Sequence, residues 1–227
     1  MDNMFEKMMK LPLFQGVSYE RIESLIEKVP FHFLKFQDGE NIISAGSECT
    51  HLRFIVSGSV KIVTHSQVSK VSVSQVLDSP NVIGPDYLFG RRTIYPYEVF
   101  ANGTCGILQL KKSDYIDIIQ SDNVFLFNIL NFLSRNTQNH MQSLLSRSSG
   151  QLTERLSGLI LSLTSARSHD IKLEFRQKEL CLLLGARRTS LINALESMKM
   201  MGMVEFSTCE ISVLDRKMLL DYIKVEE

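Results

Sequence analysis

The 227-residue chain balances 25 basic against 25 acidic residues, with 44% hydrophobic and 22% charged residues overall. That length allows one or two domains, each with its own core. The composition is ordinary for a soluble protein, and its longest apolar stretch, residues 124–133, is broken by Asn128 and Asn131 and is too short to span a bilayer. The N-terminal MDNMFEKMMK lacks signal-peptide architecture, so a cytoplasmic protein is expected. The four cysteines, Cys49, Cys105, Cys181 and Cys209, form no CxxC pair. That spacing offers neither a zinc site nor an iron–sulfur run, and small buried apolar residues are expected instead.

In chain order, residues 18–29 predict a helix capped by Ser18, with Ile22, Leu25 and Ile26 packing inward. From residue 31 to 110 the chain reads as short strands broken at Asp38-Gly39, Ala45-Gly46, Ser57-Gly58 and Asn102-Gly103. Short strands with glycine turns predict a small β-sandwich or β-barrel. Residues 113–119 form a short helix, and Ser121 or Asp122 caps a long one reaching to about Ser148. Phe127, Leu130, Met141 and Leu144, with Ser134 and Thr137 between them, give that helix a near-heptad seam with a polar middle. The seam calls for a partner helix, most simply from a second copy of the chain. Residues 146–150 read as a hinge, and residues 152–162 as a support helix.

The most informative stretch is residues 175–206, FRQKELCLLLGARRTSLINALESMKMMGMVEF. It reads as two short helices around a tight turn, then a β-hairpin. Leu180, Leu183 and Leu184 mark the buried face of the first helix, and Gly185 permits the left-handed backbone of a helix end. Leu191, Ala194, Leu195 and Met198 mark the buried face of the second. Arg187, Arg188, Thr189, Ser190 and Asn193 are left on its polar, N-terminal side, which is what reading a major groove requires. Ser207-Thr208-Cys209 supplies a wing turn between strands at 204–206 and 211–213, and Asp215 caps a last helix. Within residues 172–193, five basic side chains (Lys172, Arg176, Lys178, Arg187, Arg188) face two acidic ones (Glu174, Glu179). This local excess of positive charge is modest, which favours a dimer that gathers more phosphate contacts.

The order barrel, long helix, winged helix–turn–helix resembles the Crp/Fnr family of bacterial transcription regulators. LPLFQGVSYERIESLI is similar to the family's N-terminal helix segment, FQDGENIISAGSECTHLRFIVSGSVKIV to its barrel strands, and VIGPDYLFG to the start of its ligand cassette. The resemblance implies an α+β chain in three parts: a jelly-roll (double-stranded β-helix) barrel over 1–120, a dimerisation helix over 121–148 and a winged helix–turn–helix over 149–227. It also implies base-edge contacts from Arg188, Thr189 and Asn193, and phosphate contacts from or beside Arg176, Gln177, Arg187 and Ser190. The implied partners are double-stranded DNA with a pseudo-palindromic operator, a second copy of the chain, RNA polymerase and a small-molecule or gas effector, with no membrane.

The cassette departs from the family pattern. Cyclic-nucleotide-binding members place a glutamate after the cassette glycine and an arginine–serine pair further on. Here Gly84 is followed by Pro85, and the later pair is Tyr95-Pro96. A buried phosphate without those groups is poorly compensated, so cyclic AMP in the usual mode is not expected. Arg91 and Arg92 lie nearby on what reads as an exposed loop. Haem stays open as a cofactor, with His140-Met141 on the long helix the first candidate ligands among five histidines and ten methionines. The candidate effector residues are thus Gly84, Pro85, Arg91, Arg92, Tyr95, His140 and Met141. Competing classes are a regulator whose barrel is purely structural, and an enzyme. No nucleophile elbow, P-loop, HExxH or dinucleotide fingerprint supports the latter, and a solvated helix face accounts for Asp114 and Asp117.

Overall fold

The computed structural model describes residues 2–66, 70–148 and 150–223. The expected hinge at 146–150 includes Ser149, which lies outside the described residues. The elements run α1 (Asp2–Met9), α2 (Tyr19–Lys28), β1 (His32–Phe36), β2 (Asn41–Ile43), β3 (His51–His65), β4 (Ser72–Asp78), β5 (Asn81–Ile83) and β6 (Tyr97–Lys111). They continue through α3 (Lys112–Ser121), α4 (Asn123–Ser148), α5 (Leu152–Ser162), β7 (His169–Glu174), α6 (Gln177–Leu184) and α7 (Arg188–Met200). The chain closes with β8 (Val204–Phe206), β9 (Glu210–Val213) and α8 (Arg216–Ile223). The fold is α+β: a jelly-roll-like antiparallel sheet that stays open, followed by helices and a winged helix–turn–helix. The chain divides into two compact units, Met1–Lys61 with Leu77–Asn136, and Ile62–Val76 with Thr137–Glu227.

In the first unit β1 pairs antiparallel with β6 from His32↔Gln109 to Phe36↔Cys105, β2 pairs with β6 beside Phe100, and β5 pairs with β3 at Arg53↔Ile83. Phe14, after a short 3-10 turn, meets the rings of Phe54 from β3 and Phe125 from α4 edge-on, at 5.5 and 5.6 Å. Asn128, a polar break in the apolar sequence, donates to the carbonyls of Leu13 (3.2 Å) and Gln15 (2.8 Å), fixing α4 to the N-terminal segment. Ser18 caps α2 by accepting from the Arg21 N–H at 3.4 Å, and Asp122 caps α4 by accepting from the Val124 N–H at 2.9 Å.

Two of the four expected glycine breaks are not breaks. β3 runs unbroken through Ser57-Gly58, and β6 through Asn102-Gly103. Gly58 is required for a different reason: a Cβ there would collide with the Thr104 carbonyl of β6. Close backbone approach together with a left-handed backbone (φ 71°) selects glycine at this position.

In the second unit β7 lies between β4 and β9, and β9 pairs with β8 to form the wing. Leu156, Leu159 and Ile160 of α5, Ile171 and Leu173 of β7, Leu180 and Leu184 of α6, and Leu191, Leu195 and Met198 of α7 share one core. Gln151 and Glu154 form a reciprocal capping box on α5, and Asp215 caps α8 through the Lys217 N–H at 2.8 Å. On α6, Leu180 and Leu184 are buried as expected, but Leu183 is 38% and Leu182 68% exposed. A helix of this length, Gln177–Leu184, offers one inward stripe, and positions 180 and 184 already occupy it.

This difference is measurable. Leu180→Ala is expected to destabilise the second unit by about 2–5 kcal/mol, and Leu182→Ala by less than about 0.5 kcal/mol, in denaturant unfolding followed by circular dichroism.

Candidate nucleic-acid interface and effector cassette

α6 ends at Gly185, whose backbone is left-handed (φ 57°, ψ 40°), and the Ala186 N–H returns to the Cys181 carbonyl at 2.9 Å. This sharp exit launches α7 with Leu191, Ala194, Leu195 and Met198 buried. Its other face carries Arg187, Arg188, Thr189, Ser190 and Asn193, all exposed. Arg176 is exposed and Gln177 half-exposed at the start of α6. The structure therefore gathers every residue that the sequence nominated for DNA within the first two turns of two consecutive helices or just before them.

Those first turns share a second property. The residues before α6 and α7 are Arg176 and Arg187, and neither side chain accepts a hydrogen bond from its helix. Arginine has no acceptor to offer, so the first amide groups stay open to an external anion. Lys111 before α3 likewise gives no cap, so the missing cap alone does not mark an interface. At α6 and α7 the open amides coincide with exposed guanidinium groups, a pairing whose chemistry suits phosphate oxygens. At the far end of α7, Lys199 pairs with Glu205 of β8 at 2.7 Å, tying the helix to the wing. The wing turn Ser207, Thr208 and Cys209 is exposed.

The cassette belongs to the first unit. Gly84 is left-handed (φ 52°, ψ 45°), and Pro85–Tyr87 follow as a 3-10 turn. The rings of Tyr87, Tyr95 and Tyr97 pack on one another with centroids 5.6–6.0 Å apart. A Cβ on Gly84 would strike the Tyr97 hydroxyl and the Tyr95 ring, so this glycine is fixed both by its backbone and by the tyrosines. Tyr95 is fully buried. Its hydroxyl lies 2.8 Å from the Cys49 thiol and accepts from the Arg53 guanidinium at 3.3 Å. Burial pushes the Tyr95 and Tyr97 hydroxyls and the Cys49 thiol upward, so all three are protonated near neutral pH. On the Asp86 side, α4 reaches the turn through an Asn136 side chain 3.4 Å from the carboxylate.

Of the nominated effector residues, Gly84, Pro85 and Tyr95 come together here, whereas Arg91 and Arg92 are exposed. His140 and Met141 are exposed neighbours on α4. Consecutive helical positions point about 100° apart, so this pair does not fit both axial sites of one haem iron. Sequence reasoning missed Arg53, Cys49, Tyr87 and Tyr97. Arg53 had a signal: a lone charge between the buried Leu52 and Phe54 of β3. Its pairing with Tyr95 is a long-range contact that no local pattern carries.

Among the described residues no helix is long and apolar enough to cross a membrane, and no group of three or more His, Cys, Asp or Glu side chains could hold a metal ion. Two family models match the chain: the cyclic nucleotide-binding domain over residues 33–122 and the Crp-like helix–turn–helix domain over residues 154–222. No curated protein matches the chain at significant similarity. Among solved structures, the chain is similar to the catabolite activator protein of Thermus thermophilus, at 17% identity with 93% of this chain and 98% of that one covered and a TM-score of 0.50. It is also similar to CooA of Carboxydothermus hydrogenoformans (17% identity, 91% and 93% covered, TM-score 0.51). A third is the c-di-GMP responsive global regulator CLP of Xanthomonas campestris (15% identity, 86% and 98% covered, TM-score 0.51). With both family domains in the expected order, the chain belongs to the Crp/Fnr family of DNA-binding transcription regulators.

Proposed function

We propose that this regulator binds a pseudo-palindromic operator as a homodimer, with α7 of each copy in the major groove, under control of a small effector acting at the cassette. The carrying observation is the exposed, uncapped, arginine-led start of α7. Arg188, Thr189 and Asn193 address base edges; Arg176, Gln177, Arg187 and Ser190 address phosphates. Asn193 can pair bidentately with adenine, and Arg188 with guanine. The parts are a sensor over 1–120, a dimerisation helix over 121–148 and a reading domain over 149–227.

Dimerisation is supported by α4. Phe125 and Ile129 are buried in the first unit, yet Phe127, Leu130, Met141, Leu144 and Leu145 are exposed, Phe127 to 60%. With Ser134 and Thr137, positions 127, 130, 134, 137, 141 and 144 alternate steps of three and four along one stripe, the seam of a coiled coil. An exposed stripe of that kind is satisfied by the same stripe on a second copy.

For the effector, the cassette supplies neutral hydroxyls and the Arg53 guanidinium in place of the glutamate, arginine and serine of the cyclic-nucleotide mode. Tyr95 itself fills the arginine's place. Cyclic AMP in that mode is not the signal. A second reading, in which the barrel is purely structural, is favoured by the mutual packing of the three tyrosines.

On duplexes selected by the protein from a random pool, fluorescence anisotropy is expected to show affinity falling steeply with salt. Arg188→Ala should cost about 1–3 kcal/mol at one base position per half-site; an equal loss on every sequence would instead make Arg188 a phosphate contact, and no preference over random DNA would sink the proposal. Leu130→Glu is expected to shift sedimentation towards monomer and to weaken operator binding with it. In titration calorimetry cyclic AMP should give no saturable heat; a saturable signal that Arg53→Ala abolishes would overturn this reading of the cassette.

A further inference from the structure

Strand β4 lies inside the sequence matched by the cyclic nucleotide-binding domain, yet its residues 72–76 fall in the unit that reads DNA. There it lies between β3 and β7 in the sheet that carries the wing, in register with β7 at Ser72↔Glu174, Val73↔Leu173, Ser74↔Lys172 and Val76↔His169. Val71 and Val73 are buried in the same core as Leu191 and Met198 of α7. Gln75 is also buried, and its side-chain carbonyl accepts the Ser165 N–H at 2.7 Å. The Ser165–Ser168 loop it holds joins α5 to β7, and Arg216 of α8 secures the next carbonyl, Ala166, at 3.2 Å.

The register of this pairing is pinned. β7 takes one residue more than β4 between the Ser74 and Val76 pairs, and Asp170 in that extra space is left-handed (φ 46°). A bulge of this kind fixes the alignment. A slip by one residue would turn Val73 out of the core and a polar neighbour in. β4 therefore cannot slide along β7; a displacement of one carries the other. Past Val76 the same strand leaves this unit at Leu77, and only Asp78, Ser79, Pro80 and β5 separate it from Gly84 of the cassette.

We infer that β4 is a transmission strand, through which a change at the cassette reaches β7, the α5–β7 loop and so the recognition helix, with the β4–β7 pairing intact throughout. The inference rests on the reading of α7 as the DNA contact and of the cassette as the control site. A signal carried by α4 alone would need no such strand. Here the family's sensor segment supplies core residues to the reading unit.

The test uses the full chain and operator duplexes selected from a random pool. Two cassette variants, Gly84→Ala and Tyr95→Phe, perturb the turn without any ligand; the second keeps the ring and guards against a folding failure of the first. Each is made in the parent and in a chain with Gly-Ser-Gly inserted between Asp78 and Ser79, which loosens the tether but leaves both ends in place. A third background, Ser72→Cys with Glu174→Cys and Cys209→Ser, locks the pair by a cross-strand disulfide. At least one cassette variant is expected to change operator affinity by about fivefold or more in the parent. That effect should shrink to within about twofold in the insertion background and persist in the oxidised, cross-linked protein. An undiminished effect in the insertion background overturns the inference, because another connection between the units, α4 or β3, then suffices. So does a disulfide that does not form, a cross-link that abolishes the effect, or the absence of any cassette effect in the parent. Disulfide yield is read by mass without DNA, so a parent that binds no operator is recognised separately as a failure of the DNA-reading assignment.

Discussion

The second unit depends on holding one helix by one face. On α7 the residues proposed to touch DNA and those that pack beneath the helix are interleaved: Arg188, Thr189 and Asn193 are exposed, while Leu191, Ala194, Leu195 and Met198 are buried. A rotation of one position, about 100°, would bury an arginine and present a leucine. Burial of three large apolar side chains, each worth roughly 1.5–3 kcal/mol, resists that rotation. The left-handed Gly185 fixes where the helix begins, and the Lys199–Glu205 pair fixes where it ends. α5, β7 and α8 build the floor against which this face packs.

The cassette follows the opposite economy. A site for a cyclic phosphate keeps ionic partners ready for a charge that arrives with the ligand. Here the interior is neutral aromatic surface, and its charged group, Arg53, is left half-exposed beside a tyrosine hydroxyl. Burying protonated tyrosines costs far less than burying an unpaired charge, so the turn is stable without a ligand. Gly84 is bound into this arrangement from both sides. Its backbone needs the left-handed region, and its missing side chain leaves the space that the Tyr97 hydroxyl occupies.

What was legible in the sequence was local. Helix caps at Ser18, Asp122 and Asp215 depend on one side chain and the next turn, and they stand where the sequence put them. The buried stripe of α7 obeys the helical period, and Gly185 obeys the chemistry of helix ends. Glycine was ambiguous wherever its role is spatial. Gly39 sits in a turn, but Gly58 sits in a strand, where a left-handed backbone and the close pass of another backbone both require glycine, and nothing beside it in sequence says so. Leu183 read as inward because 180, 183 and 184 fit the spacing of one helical face; the width of the core under a short helix decided otherwise. Arg53 against Tyr95, and β4 against β7, join residues far apart in the chain, and pairing partners of that kind leave no mark in local composition.

The placement of β4 also changes what counts as the DNA-binding domain. The matched helix–turn–helix segment begins at residue 154 and ends at 222. Cut out at those limits, it would expose the edge of β7 that β4 covers, a row of unpaired backbone groups beside Ile171 and Leu173. It would also lack Val71 and Val73, leaving a gap in a core where missing volume is costly, and the Ser165 N–H would lose its Gln75 acceptor. A sequence boundary drawn where similarity begins is therefore not a folding boundary here. The reading unit is discontinuous, and its discontinuity runs through the sensor segment.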